Sequence, residues 1–134
     1  DVTQIDAPVR PEKPHDITVI FKDTYYTITP RAEFIDADHP VNSLDTKILS
    51  DLVLNPILDI KDEKTSPKLS FVEGIKGIKG LQKELKKRDG KVAFALYPVS
   101  IEQLKKVADT NNIMPPKSTW IEPKMRSGLT IYEY

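Results

Sequence analysis

At 134 residues the chain is the size of one domain, able to bury about two-thirds of its unfolded surface without disulfides or metals. Hydrophobic residues make up 39% and charged residues 30%, a balance too apolar for disorder. No run approaches the roughly 18 uninterrupted apolar residues of a membrane-spanning helix, so no membrane partner is expected.

Cysteine is absent, which excludes disulfides, cysteine nucleophiles and thiolate zinc sites and fits a reducing, cytoplasmic setting. The formal net charge is zero, but residues 1–63 carry −7 and residues 64–134 carry +7. Such blocks make either a dipolar molecule or two halves that neutralise each other on folding. A chain this balanced lacks the basic footprint of a general nucleic-acid binder.

Residues 1–15 contain Pro8, Pro11 and Pro14 and no periodicity, the pattern of an extended linker. Together with Asp1 as first residue and no signal-peptide pattern, this predicts a linker remnant followed by a single domain over 16–134, cut from a longer polypeptide. Ile17–Phe21 and Thr24–Thr29 are rich in β-branched and aromatic residues around Lys22-Asp23, and read as a hairpin ended by Pro30. Asn42 or Ser43 is positioned to cap a helix reaching Leu54, where Asn55-Pro56 halts it. Leu44, Ile48, Leu49 and Leu52 share one face of that helix.

Residues 61–67 read as an exposed loop and Leu69–Val72 as a third strand. After the glycine-spaced 74–80 stretch, a helix runs to Arg88 and closes on Gly90. The apolar run Val92–Tyr97 reads as a strand covered on both faces. Ser100 and Gln103 form a capping box for a helix to Thr110 with Ile101, Leu104, Val107 and Ala108 turned inward. Leu129–Tyr132 reads as a last strand. Strands alternating with helices predict an α+β fold, with α/β as the alternative: a mixed sheet of about five strands, opening with the hairpin, and three helices.

Three stretches are candidates for chemistry. Residues 111–128 form a long proline-rich strap, and unstructured connections beyond about 12–15 residues are often functional. Lys117, Ser118, Thr119, Lys124 and Arg126 supply cations and hydroxyls there, an anion- or phosphate-binding set without the glycines of a Walker loop. The competing reading is a stiff strap anchored in the core by Trp120. Seven bases and two acids over 76–91 lie opposite Ile78, Leu81 and Leu85, the look of an ordinary solvated helix face.

Asp36, Asp38 and His39 cluster ahead of the first helix, a set suited to a divalent ion or acid–base work, although short acidic clusters there more often cap the helix. Asp45 falls among apolar positions. Beside His39 in a cleft it would be the best acid of the chain; otherwise it bonds free backbone N–H groups of the first turn. No complete catalytic constellation and no metal motif is present, so the chain alone is expected to show no turnover.

ADHPVNSLD at 37–45, LVLNPILDI at 52–60, FVEGIKG at 71–77, VAFALYPVSIEQL at 92–104 and MPPKSTWIEPKMRSGL at 114–129 resemble the C-terminal part of domain-of-unknown-function family 1015 of bacteria and archaea. The resemblance runs from the hairpin to the last residue. Glu73 departs from the glycine usual in the family, which puts an anion nest at 72–74 in doubt. The resemblance implies a longer protein whose upstream part carries an Asp-Gly-His-His-Arg-like motif, similar to ParB and sulfiredoxin-like nucleotide-using enzymes, a fold that includes free-serine kinases.

Two expectations follow. In the first, this is the C-terminal domain of a nucleotide-dependent phosphotransferase-like protein, partnered by the N-terminal domain of the same polypeptide. Lys117, Lys124 and Arg126 then hold phosphate oxygens, Ser118 and Thr119 add hydrogen bonds, and His39 with Asp45 form a polar wall. In the second, it is a non-catalytic interaction or dimerisation module, with a homo-oligomer as one form.

Overall fold

A computed structural model describes residues 1–119. Leu129–Tyr132, Trp120, Lys124 and Arg126, all singled out from the sequence, lie outside the described residues. The elements in order are β1 (Val2–Ile5), β2 (Ile17–Phe21), β3 (Thr24–Ile28), α1 (Asp45–Leu49) continued by a wider π-helical segment at Ser50–Leu54, α2 (Gly77–Lys87), β4 (Val92–Leu96) and α3 (Ile101–Asp109). The four strands form one sheet in the order β1-β3-β2-β4, and the fold is α+β.

The β2–β3 hairpin forms as its β-branched residues dictate, with Phe21 opposite Thr24 and Ile17 opposite Ile28. Lys22 takes the positive φ of 55° that so tight a turn demands. Each neighbouring pair is antiparallel, which corrects the expected mixed sheet of about five strands to an antiparallel one of four among the described residues. β4 does run in the direction of β3, as a crossover requires. It lands beside β2 instead, because two helical segments and long loops separate it from β3 and free it from the neighbouring position.

Four local expectations change. Val2–Ile5, inside the stretch read as linker, pairs with β3 as an edge strand; proline content hid it, and an edge strand can be short and exposed. Leu69–Val72 forms no strand, although Leu69 packs on the core. Val92–Leu96 is an edge strand in the described sheet, with only Ala93 buried, rather than a strand covered on both faces. On α3 only Val107 is buried, whereas Ile101 is 73% and Leu104 37% exposed.

The first helix starts later than its sequence cap suggests. Leu44 holds the cap position in extended conformation with no side-chain cap bond. Of the expected inward face, Leu44, Ile48 and Leu49 are buried, while Leu52 is half-buried. Leu49 and Leu54 join Ile17 and Ile60 in a core cluster against which Ile28, Phe94 and Leu96 pack. Burying side chains of this size stabilises by about 1.5–3 kcal/mol each. α1 is thereby fixed against one end of the sheet, which sets the position of Asp45 and Thr46 at its start.

Candidate functional site

The first turn of α1 meets two segments distant in sequence: residues 14–16 ahead of β2, and the beginning of the strap. His15 sits in the left-handed region at φ 70°, a conformation uncommon for residues with a side chain, although histidine, asparagine and aspartate visit it more often than others. That turn aims both its backbone N–H and its ring at one carboxylate. The N–H donates to Asp45 Oδ1 at 3.0 Å and Oδ2 at 3.1 Å. Nδ1 lies 2.8 Å from Oδ1, and since an ionised carboxylate only accepts, Nδ1 carries the proton. Asp45 is 7% exposed, and the His15 side chain is part-buried.

Burial raises the Asp45 pKa, outweighing the His15 hydrogen bonds and charge that pull it down. The expected partnership of Asp45 with His39 is therefore corrected, as is capping of its own helix: its hydrogen bonds go to His15. His39 Nδ1 instead accepts the N–H groups of Val41 and Asn42, each at 3.1 Å. Asp36 accepts from the His39 N–H at 3.3 Å and the Asn42 amide at 3.1 Å. The 36–42 cluster thus closes a turn on itself. No group of three His, Cys, Asp or Glu able to hold a metal is found among the described residues.

Thr46, next to Asp45, meets the strap: Ser118 Oγ lies 3.3 Å from Thr46 Oγ1 and donates to the Pro115 carbonyl at 2.7 Å. Ser118 has one proton and spends it on the shorter bond, so Thr46 is left as donor across the longer contact. Lys117 takes φ 58° and is exposed along with Thr119. Among the described residues no carboxylate forms an ion pair with Lys117. Behind Thr46, a crevice of about 10 Å³ bounded by Pro14, Asp45, Tyr97 and Gln103 has room for a single water molecule and no more.

The structure thus brings together Asp45 and Ser118, through Thr46, and leaves His39 in its own turn. Sequence reasoning missed His15, which it assigned to a linker. The available signal was Asp45 itself, because an acid placed among buried leucines needs a partner and the chain has only two histidines. At the two ends of α2, Lys76 pairs with Glu73 at 2.8 Å and Arg88 with Glu84 at 3.3 Å, while Ile78, Leu81 and Leu85 along it are half-buried. That is the solvated basic face expected. Comparison with protein-family models, curated proteins and solved structures returns no match, so the resemblance to family 1015 rests on its motifs.

Proposed function

We propose that the chain is the C-terminal domain of a longer, nucleotide-dependent phosphotransferase-like protein, to which the strap contributes phosphate-binding groups. The observation that carries this reading is the seating of Ser118 on Thr46, beside the His15–Asp45 pair and next to an exposed Lys117 without a carboxylate partner among the described residues. An anion arriving there takes the Thr46 proton at the cost of only a 3.3 Å contact, and Lys117 supplies charge from the adjoining residue. Lys124 and Arg126 complete the cation set in this reading. The test is calorimetric titration of the chain with inorganic phosphate and with ATP. Saturable binding that Lys117→Ala weakens several-fold supports the site; no heat from either ligand removes it.

A second reading, a non-catalytic interaction or dimerisation module, is favoured by α3. Its apolar side chains Ile101 and Leu104 are open, and Ile113 beyond it is 87% exposed. Single exposed apolar residues are ordinary, but several on one element suit a contact surface. Sedimentation velocity decides it for self-association: a concentration-dependent dimer lost in Ile101→Asp supports the module, and a monomer at every concentration rules out the dimer.

A further inference from the structure

The chain has two histidines, and their hydrogen bonds leave the two rings in opposite states. His39 spends Nδ1 on the N–H groups of Val41 and Asn42. Its neutral ring therefore carries the proton on Nε2 and has no basic nitrogen to offer. In His15 the proton is on Nδ1, held by Asp45 at 2.8 Å. The lone pair stands on Nε2, to which no described residue bonds, on a side chain 27% exposed.

The surroundings of that lone pair suit a nucleophile. Asp45, 7% exposed, accepts from both the backbone N–H and the ring of His15, so the imidazole is held in one tautomer and one orientation. A ring that attacks an electrophile gains positive charge, and a buried carboxylate on its far nitrogen offsets that charge. Asp45 spends both oxygens on His15, so the pair has no acid to lend a leaving group. The electrophile must carry a group that departs unaided. On the same turn of α1, Thr46 and the strap's Lys117 offer the hydroxyl and the charge assigned above to phosphate oxygens.

We propose that His15 Nε2 is a phosphoryl acceptor, labelled by small N-phosphoryl donors of the phosphoramidate class. The Nε2 lone pair forms the new N–P bond as the donor's P–N bond breaks, and the donor nitrogen, already protonated, leaves as ammonia. Nδ1 keeps its proton, bonded to Asp45. His15 is the nucleophile and Asp45 a positioning residue. Orientation of the donor rests on the phosphate reading of the strap; the identity of the nucleophile does not.

The experiment incubates the full chain with potassium phosphoramidate, with N-acetylhistidine amide in the same solution as an unpositioned imidazole. Phosphorus NMR and peptide mapping at alkaline pH read the label. It is expected on His15 Nε2 and not on His39, formed about tenfold faster than on the free imidazole, and lost in His15→Gln. Asp45→Asn, whose amide can donate to Nδ1, should slow labelling about tenfold while ring-nitrogen NMR shows the His15 proton moved to Nε2. Label on His39 or on neither histidine, a rate on His15 no faster than on the free imidazole, or a wild-type His15 protonated on Nε2 would each overturn the proposal. Inorganic phosphate titrated in parallel separates the two readings. Phosphate bound with His15 unlabelled removes the acceptor alone, whereas His15 labelled in a chain that binds no phosphate supports the acceptor and removes the strap's part.

Discussion

Burial of Asp45 works against its charge while His15 works for it, and the two effects are separable by pH. Its folded pKa is raised because desolvation outweighs the partner, so the folded chain holds this proton more tightly than the unfolded chain. The contribution of Asp45 to stability is then greatest below the ordinary aspartate value, about 3.9, and falls as pH rises from there through the folded value. Urea unfolding of wild type and Asp45→Asn across the acid range should show the wild type losing ground to the variant as pH rises through that window. A constant difference would mean that the His15 contacts fully offset the desolvation. At neutral pH, Asp45→Ala strands the His15 N–H groups and should cost about 1–3 kcal/mol.

None of the geometry at His15 was legible from Pro14-His15-Asp16. The left-handed turn that aims N–H and Nδ1 at the same carboxylate has no sequence signature of its own. It exists because α1 is anchored by distant leucines. The opposite holds for Ser100, whose role is local and was readable. Its Oγ accepts the Gln103 N–H at 3.1 Å, and its own N–H donates to Gln103 Oε1 at 2.9 Å.

Elements divide along the same line. The hairpin, α2 and the start of α3 are set by neighbours close in sequence, and their patterns are written in the chain, whereas β4 is readable as a strand but not in its pairing with distant β2. Edge strand β1 depends on pairing with residues 25–28, which no local pattern announces. The exposure of Ile101 and Leu104 shows that an amphipathic pattern reports a helix face without reporting what covers it. Two element-scale outcomes follow. Ser100→Ala should destabilise by about 1 kcal/mol through loss of the cap, measured by chemical unfolding. Gly77 joins a short 3-10 turn to α2 at φ 59° and ψ −167°, a region essentially reserved for glycine. A Cβ there meets no atom within 4 Å, so the cost of Gly77→Ala is conformational, about 1–3 kcal/mol. Stability unchanged in that variant would show that the turn relaxes freely.

For the molecule as a whole, alternation of strands and helices correctly indicates layers of both kinds but cannot fix which edge a returning strand takes. β4 runs as a crossover strand should and still pairs with β2, which makes the sheet antiparallel. The sequence halves of opposite charge do not map onto separate units, since β2 from the acidic half lies between β3 and β4, the latter from the basic half. At the end of α1 nearest the strap, Thr46, Lys117 and Ser118 come from the two halves as well, and the proposed phosphate site exists only once the chain is folded. The most direct measurement is a phosphate titration of the labelled chain followed through its backbone amides. Saturable shifts centred on Thr46 and on 117–119, lost in the Thr46→Val, Ser118→Ala double variant while the rest of the spectrum is kept, are the predicted result. Unchanged amides at these positions at saturating phosphate, or shifts that survive the double variant, would contradict it.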